Sequence, residues 1–398
     1  MTKKYLFLTH ELNGTGGSKV TINLANQLLE LGHEVSFLVK KSSDNTVSQS
    51  NVRVFKWNPL AVKEVVTPSF SKGTNGNIAQ GSNVKLKELL LPYYRFFKFI
   101  SNLLMLPFYL LSFFVFFKKK GFDVVVQNNI YSNFEINYFL SKVTNFYLNF
   151  HNSPVDVFNR KTFYNFVPVP FLLKGVKCLC VSQGIKDELQ NSYNVSSNNI
   201  QVIYNSFDFK EIKEYGEENI ALTNVFVENQ FIYVGTLNDR KCVDRIIYTM
   251  GNLKSKGFDC HLNIFGEGDK LLELKELAKK LDIIDSISFL SYQDNVLRFI
   301  RRSKCLLLSS NAEGLPTVLI EALILGTNVI STDCPTGPNE ILTGAFKKYL
   351  VPLSNDENAI IDMMTRKCIQ IMEDEIIVSD AELEKFSSLN VIKLWQKL

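Results

Sequence analysis

Short apolar runs alternate with helical patterns along nearly the whole chain of 398 residues, and this alternation limits the fold more than any other feature. Strands separated by helices favour parallel sheets, because a parallel connection needs a crossover segment that is usually a helix. Twelve runs predict strands, at residues 4–9, 34–39, 123–126, 144–150, 177–181, 200–203, 231–235, 260–265, 286–290, 305–309, 328–331 and 349–351. They form two sets of six, separated by a polar stretch at residues 205–228. The sequence therefore predicts an α/β protein with two doubly wound domains, each built on a parallel sheet.

Composition excludes several classes of protein. Lys and Arg number 44 and Asp and Glu number 40, so the net charge of +4 is too small for a typical nucleic-acid binder. With 46% hydrophobic and 21% charged residues, the chain is not globally disordered. Its seven cysteines are scattered without C-x-x-C spacing, which indicates neither a disulfide framework nor a zinc site. The apolar run Tyr5–Leu8 is too short for the core of a signal peptide, so we expect a reduced, cytoplasmic protein.

The segment Ser309–Leu323 has the pattern of an anion-binding site. A predicted strand leads into a loop, and Pro316 then opens a predicted helix, whose free N–H groups and positive end would face a phosphate. Glu321 lies about one turn inside this helix, where its carboxylate can accept hydrogen bonds from the two hydroxyls of a ribose. Glu313 precedes the helix and would reach beyond the phosphates. On spacing alone, an ordinary surface loop with two solvated glutamates explains the segment equally well.

The same segment resembles a known enzyme family. The Glu-x7-Glu spacing of Glu313 and Glu321, with Glu-Gly-Leu-Pro and Ile-Glu-Ala inside it and the run Val329–Leu342 after it, is similar to the retaining glycosyltransferases of family 4. That resemblance implies the GT-B fold, in which two Rossmann-like domains face each other across a cleft. It assigns Glu321 to the nucleotide ribose and Glu313 to the donor sugar. It also implies a donor site that includes the residues between them, Gly314, Leu315, Thr317 and Val318.

A loop of the second domain matches the diphosphate-binding part of the family. Val234–Lys241 resembles the strand and loop that supply an Arg and a Lys, and Lys241 matches the Lys. A cation there would neutralise the charge that builds on the leaving nucleoside diphosphate. Thr236 occupies the family's Arg position, so we hypothesise that Arg240 reaches in instead.

Glycines provide a weaker signal. By its place in the family's order, Gly235 is expected to lie against the donor, and so is Gly266 in Gly266-Glu267-Gly268. Glycines also serve tight strand-to-helix turns without any ligand. In the first domain, Gly16 and Gly17 follow the first predicted strand and begin a helix, where they would let the backbone approach a phosphate or sugar.

The first domain is expected to bind the acceptor. Its loop His151-Asn152-Ser153-Pro154 is similar to the His-containing loop that lies near the reacting carbon in the family. The resemblance therefore gives His151 a catalytic role through a hydrogen bond to the donor sugar or the acceptor. Without the resemblance, a structural histidine is the simpler interpretation.

The resemblance also implies a reaction. We expect a retaining transferase that moves a sugar from a nucleotide sugar, UDP-linked, to a glycan or lipid-linked glycan during the synthesis of bacterial surface polysaccharide, such as lipopolysaccharide or capsule. The acceptor hydroxyl would attack from the face that the diphosphate leaves, without a covalent intermediate. The sequence has no Asp-x-Asp motif, so neither a metal nor another cofactor is expected. Two alternatives stay open: a sugar-nucleotide epimerase of the same fold, and a catalytically degenerate partner subunit, which Thr236 would fit.

We place the first domain at residues 1–205 and the second at 206–379. The final helix, at about residues 380–398, carries Trp395 and is added to the first domain, because it crosses back in relatives. This assignment is an implication of the resemblance.

Residues 93–120 are unusually rich in phenylalanine. From Phe99 to Phe117 no residue is charged, and Lys118-Lys119-Lys120 follow. The length would suit a membrane span, but a span would divide the first domain between two sides of a bilayer. The segment is therefore expected either to pack in the core as a helix pair broken near Pro107, or to form an amphipathic patch. Such a patch would dock peripherally on the anionic inner face of the cytoplasmic membrane.

Overall fold

The computed structural model describes residues 2–10, 12, 16–39, 52–58, 61–65, 104–105, 107–108, 110–128, 140–142, 144–160, 169–219, 229–373 and 380–398. The chain divides into two compact units. The first contains Met1–Cys180, Glu188–Gln201 and Leu398, and the second contains Val181–Asp187 and Val202–Lys397. The domain limits expected from the sequence, with the final helix in the first domain, stay a prediction.

The first sheet has eight strands in the order β4-β3-β2-β1-β5-β6-β7-β8. These are β1 (Lys4–Thr9), β2 (Glu34–Val39), β3 (Arg53–Asn58), β4 (Ala61–Val65), β5 (Val124–Asn128), β6 (Phe146–Phe150), β7 (Lys177–Cys180) and β8 (Ile200–Val202). The helices of this part include α1 (Gly16–Glu30), α2 (residues 110–120), α3 (Pro154–Arg160), α4 (Val169–Leu173) and α5 (Gln183–Tyr193). All residues from Tyr5 to Leu8 are buried, so both faces of the central strand β1 are covered.

The first sheet reverses its direction of winding between β1 and β5. The pairs from β3 through β2, β1, β5 and β6 to β7 are parallel, and β4 alone is known to run antiparallel to its neighbour. In open parallel sheets, ligands bind beyond the carboxyl ends of the strands at such a switch point. The fold therefore directs attention to the segments that follow β1 and β5.

The second sheet has six strands in the order β11-β10-β9-β12-β13-β14, and all five pairs are parallel. The strands are β9 (Gln230–Val234), β10 (His261–Phe265), β11 (Ile287–Leu290), β12 (Cys305–Leu308), β13 (Asn328–Asp333) and β14 (Leu350–Pro352). The helices are α6 (Phe209–Glu217), α7 (Val243–Ser255), α8 (Leu271–Lys280), α9 (Leu297–Arg301), α10 (Thr317–Ile324), α11 (Pro338–Ile341), α12 (Glu357–Glu373), α13 (Asp380–Leu383) and α14 (Ser388–Trp395). The switch point of this sheet lies between β9 and β12.

All twelve predicted strands are confirmed, but the hairpin of β3 and β4 was not predicted. In β3 the residues Val54 and Phe55 are buried, whereas the flanking Arg53 and Lys56 are exposed. This strand lies next to the edge of the sheet, where charged side chains can reach water. Those charges interrupt the apolar run on which the strand predictions relied.

The phenylalanine-rich segment is neither wholly core nor wholly surface. Residues 110–120 form α2, which buries Phe113, Phe116 and Phe117 but leaves Phe114 52% exposed. Residues 104–105 and 107–108 are also helical, whereas 93–103 lie outside the described residues. Within the described parts of the chain, no helix is both long enough and apolar enough to cross a membrane.

Candidate active site

Three predicted residues meet beyond the carboxyl ends of β9 and β12. Lys241 Nζ donates to Glu313 Oε1 at 2.6 Å, and Arg240 Nη1 donates to Glu313 Oε2 at 3.1 Å. The side chains of Lys241, Arg240 and Glu313 are only 13%, 18% and 8% exposed. Arg240 also donates to the carbonyl of Ala312. Two cations therefore share one buried carboxylate at the switch point of the second sheet.

The charges keep Glu313 ionised. Burial raises the pKa of Glu313, but the positive charges of Lys241 and Arg240 outweigh burial and hold this pKa below its ordinary value. The Arg240 guanidinium contacts the same carboxylate as Lys241. That Arg240 approaches a diphosphate stays a hypothesis. Thr236 is exposed, and its carbonyl accepts a hydrogen bond from Tyr233 Oη at 2.9 Å.

Hydrogen bonds join the loop after β9 to the loop after β12. Asn238 Oδ1 accepts from the Lys241 N–H, and Ser309 Oγ donates to the Cys242 carbonyl at 2.6 Å. The Asn311 N–H donates to the Arg240 carbonyl at 2.9 Å. Cys242 has a φ of +46°, a conformation that is uncommon for a residue other than glycine. These contacts fix the backbone from which Arg240 and Lys241 extend.

Arg245, on the first turn of α7, forms hydrogen bonds with the loop that follows β12. Its side chain is 4% exposed, and it donates to the Ser309 carbonyl at 3.0 Å and to Asn311 Oδ1 at 2.8 Å. A second branch of the guanidinium donates to Glu357 Oε1 at 2.7 Å. Arg245 was not among the site residues predicted from the sequence. Its signal was a cation among the buried residues Val243, Ile246 and Ile247, where a charge needs partners.

The glycines of this region allow two loops to touch through their backbones. A Cβ added at Gly266 would lie 1.9 Å from the carbonyl oxygen of Gly235, and one added at Gly268 would lie 2.1 Å from that of Leu237. The Leu237 N–H donates to the Glu267 carbonyl at 2.9 Å. Packing alone therefore requires glycine at Gly266 and Gly268. Contact of Gly235 and Gly266 with a donor stays a prediction.

The Glu-x7-Glu segment surrounds the start of α10. Leu315 is buried, Thr317 and Val318 form the first turn, and Glu321 follows one turn later. Gly337, with a φ of +95°, packs against this segment, because a Cβ there would lie 2.7 Å from the Gly314 carbonyl oxygen. Thr336 donates to the Glu313 carbonyl. Glu313 and the N-terminus of α10 thus belong to one tightly packed structure.

His151 belongs to a polar group at the carboxyl edge of the first sheet. Its Nε2 lies 3.1 Å from Asn128 Oδ1 and 3.0 Å from Asn149 Nδ2. Asn128 Nδ2 donates to Thr21 Oγ1 at 3.1 Å, and Thr21 donates to the carbonyl of Gly17 at 2.9 Å. Burial lowers the pKa of His151 to about 4, so the ring is neutral at pH 7. Gly16 and Gly17 begin α1, whereas residues 13–15 lie outside the described parts.

Two family models match the chain. The model described as glycosyltransferase family 4 matches residues 14–211, and that described as glycosyl transferases group 1 matches residues 223–384. The chain belongs to glycosyltransferase family 4. The pair of parallel sheets is accordingly the GT-B fold.

Relatives of this transferase are distant in sequence. An uncharacterized glycosyltransferase of Methanocaldococcus jannaschii is 25% identical over 69% of the chain and 75% of its own length. A protein of Campylobacter jejuni is 27% identical over 46% of the chain and 48% of its own length. Its name is N-acetylgalactosamine-N,N'-diacetylbacillosaminyl-diphospho-undecaprenol 4-alpha-N-acetylgalactosaminyltransferase. The chain therefore spans about half of that second relative.

Solved structures support the fold of the transferase over its whole length. HepE from Anabaena, in complex with UDP and glucose, superposes with a TM-score of 0.66 at 13% sequence identity. The match covers 99% of this chain and 98% of HepE. In the described parts of the transferase, no group of three His, Cys, Asp or Glu side chains is placed to bind a metal ion.

Proposed function

We propose that the protein is a retaining glycosyltransferase that moves a sugar from a UDP-linked donor to a glycan or lipid-linked glycan. The observation that carries the proposal is the buried cluster of Lys241, Arg240 and Glu313 at the switch point of the second sheet. Support for the nucleotide comes from HepE, whose structure contains UDP and glucose. Support for the acceptor class comes from the Campylobacter relative, which is named for a diphospho-undecaprenol-linked substrate.

The cluster fits the departure of a diphosphate. Lys241 and Arg240 would neutralise the negative charge that grows on the leaving nucleoside diphosphate. Glu313 holds both cations in place before a substrate arrives, so little reorganisation is needed during the reaction. The N-terminus of α10 adds free N–H groups on the same side, and Glu321 would accept hydrogen bonds from the ribose hydroxyls.

Retention would follow if the acceptor hydroxyl attacks from the face that the diphosphate leaves. The diphosphate oxygen then takes the proton of the hydroxyl, the new glycosidic bond forms as the bond to the diphosphate breaks, and no covalent enzyme intermediate is needed. We propose that the reaction needs no divalent cation, because two fixed side-chain cations already neutralise the leaving group. His151 would hydrogen-bond the donor sugar or the acceptor.

We further propose that the enzyme works on the cytoplasmic face of the membrane, in the synthesis of surface polysaccharide such as lipopolysaccharide or capsule. One face of α2 exposes Leu111, Phe114 and Val115, at 63%, 52% and 56%, and continues into the exposed Lys118. Their spacing places them on one side of the helix. Exposed apolar groups beside lysines suit an anionic lipid surface, where lipid-linked acceptors lie.

The transfer reaction is tested with purified protein and a panel of nucleotide sugars and glycan acceptors, in the presence of EDTA. Release of nucleoside diphosphate together with a gain of one sugar in acceptor mass supports the proposal, and NMR of the product's anomeric centre reports retention. Interconversion of the nucleotide sugar would instead identify an epimerase. Nucleotide binding without any turnover would identify a partner subunit. Activity that disappears with EDTA and returns with Mg²⁺ would contradict metal independence.

The membrane proposal is tested by co-sedimentation with anionic and with neutral vesicles. Binding to anionic vesicles should decrease in the double variant Leu111→Ser, Phe114→Ser. Leu272→Ser is the matched control, since Leu272 is 72% exposed on α8. Phe113 and Phe117 are unsuitable for this test because they are buried. Equal sedimentation of the wild type with both kinds of vesicle, or no effect of the double variant, would contradict docking.

A further inference from the structure

A chain of hydrogen bonds in the first unit connects the start of α1 with His151. Thr21, Asn128 and Asn149, its other members, are each 4% exposed. Asn128 ends β5, Asn149 lies in β6, and Thr21 lies in α1, so residues more than a hundred positions apart are joined. Each hydrogen bond in this series restricts the orientation of the next group. Together they determine which nitrogen of His151 carries the hydrogen.

The orientation of the Asn128 amide follows from Thr21. The Thr21 hydroxyl has one hydrogen, which it donates to the Gly17 carbonyl at 2.9 Å. Thr21 Oγ1 must therefore accept in its contact with Asn128 at 3.1 Å, and the Asn128 atom facing it is the Nδ2 donor. Asn128 Oδ1, which can only accept, is then the atom that faces Asn149 and His151.

Three atoms form a nearly equilateral triangle at the other end of Asn128. Asn149 Nδ2 lies 3.0 Å from both Asn128 Oδ1 and His151 Nε2, and the last two atoms are 3.1 Å apart. The two N–H bonds of an amide nitrogen diverge by about 120°, whereas these two neighbours are separated by about 60° as seen from Nδ2. Asn149 can therefore donate well to only one of them.

The two neutral tautomers of His151 differ in the number of hydrogen bonds that this group of atoms can form. If Nε2 carries the hydrogen, Asn128 Oδ1 accepts from both His151 and Asn149, and two hydrogen bonds form. If Nδ1 carries the hydrogen, both Nε2 and Asn128 Oδ1 are acceptors, and Asn149 can donate to only one of them. One hydrogen bond then forms, and the lone pairs of Nε2 and Asn128 Oδ1 face each other at 3.1 Å. A buried acceptor without a donor is costly, so the first arrangement is favoured.

We propose that Thr21 and Asn128 are positioning residues that hold His151 as its Nε2–H tautomer, so that Nδ1 accepts a hydrogen bond from a sugar hydroxyl. The role of Nδ1 rests on the proposed function. In this arrangement His151 orients a hydroxyl and does not donate a proton through Nδ1. The lowered pKa of His151 agrees with a neutral ring.

The tautomer is measured directly by long-range ¹H–¹⁵N correlation NMR on ¹⁵N-histidine-labelled protein. The chain has four histidines, and His151→Asn identifies the signals of His151 by their loss. The wild type should show the Nε2–H pattern. Thr21→Val frees the Asn128 amide to rotate and should populate the Nδ1–H form, whereas Thr21→Ser should restore the wild-type pattern.

Thr365→Val is a closely matched control. Thr365 is also buried, donates to the carbonyl four residues earlier at 2.8 Å, and accepts from the amide of Asn252 at 3.4 Å. Thr21→Val should lower kcat/KM for transfer about tenfold, the value of roughly one hydrogen bond, with unchanged affinity for the nucleoside diphosphate. Thr365→Val should change neither the His151 spectrum nor kcat/KM.

The inference and the proposed function can fail separately. A wild-type His151 in the Nδ1–H form, or a Thr21→Val variant with the wild-type spectrum and rate, would overturn the inference. An Nε2–H His151 in a protein that transfers no sugar would overturn the proposed function and with it the role of Nδ1, while the positioning by Thr21 and Asn128 would stand.

Discussion

The carboxyl edges of the two sheets carry different chemistry on similar scaffolds. In the second unit, Lys241, Arg240 and Glu313 form two ion pairs with little exposure to water. In the first unit, Asn128, Asn149 and a neutral His151 interact through uncharged groups. A diphosphate needs fixed positive charge, whereas sugar hydroxyls need directional acceptors and donors. One parallel-sheet architecture can therefore carry either kind of polar site, depending on the side chains at its switch point.

Removing the carboxylate that Lys241 and Arg240 share should have the largest effect. Glu313→Gln leaves two cations with no counter-charge in a buried position, so the free energy of unfolding should fall by about 3–5 kcal/mol. Sugar transfer should fall by about 10²-fold or more. Urea unfolding and the transfer assay measure the two effects.

Glu273→Gln is the control for that experiment. Glu273 pairs with Lys270 at 2.8 Å but is 67% exposed, so its loss should change stability by less than about 1 kcal/mol. Similar losses in the two variants would show that the buried position of Glu313 has no special importance.

The backbone contact beneath the charged cluster provides a second test. Gly266→Ala places a Cβ 1.9 Å from the Gly235 carbonyl oxygen, so the two loops must separate. We expect a loss of about 1–3 kcal/mol in the free energy of unfolding. Gly251→Ala on α7 is the control, because its Cβ would meet only side-chain atoms, the nearest at 3.6 Å, and alanine favours a helix. Equal stability of the two variants would contradict the packing of these loops.

The contributions of His151 and Glu313 to stability should be lost in different pH ranges. The pKa of His151 is lowered from 6.5 to about 4, so below pH 6.5 the unfolded chain binds a proton that the folded chain does not. The contribution of His151 is therefore complete above pH 6.5 and is lost as the pH falls toward 4. The pKa of Glu313 is held below its ordinary value of 4.5, so the stability that its ion pairs contribute is complete above pH 4.5 and is lost only as the pH falls through the lowered pKa.

The measurement compares the free energy of unfolding in urea of the wild type and of His151→Asn at pH 7.5 and pH 5. The wild type should lose about 1–2 kcal/mol more than the variant over this range. Other histidines titrate alike in both proteins and cancel in the difference. Parallel losses in the two proteins would contradict a His151 that stays neutral in the folded protein.

Much of the fold could be predicted because the strands are apolar and buried on both faces. Tyr5–Leu8 and Leu306–Leu308 are uninterrupted apolar runs, and each one is a central strand. The β3 and β4 hairpin could not be predicted in the same way, since Arg53 and Lys56 flank the buried pair Val54 and Phe55 and shorten the apolar run. Edge strands exposed to water lack the pattern that marks the centre of a sheet.

The sites were predicted unevenly for a similar reason. Lys241 and Glu313 lie in loops whose order along the chain resembles a family, so their roles could be inferred before their contact was known. Asn128 and Thr21 are separated by 107 positions, and no local pattern connects them. Arg245 lies inside an ordinary helix, and Glu357, with which it pairs, is 112 positions away in the sequence. Residues that position others are visible only when the tertiary contacts are known.

We expect the charged edge of the second unit to bind the diphosphate and the neutral edge of the first unit not to bind it. Isothermal titration of wild type, Lys241→Met and His151→Asn with UDP tests it directly. Lys241→Met should bind UDP about 10- to 100-fold more weakly, since it loses one charge-assisted hydrogen bond, and His151→Asn should bind UDP as the wild type does. Unchanged affinity in Lys241→Met, or an equal loss in both variants, would contradict the account.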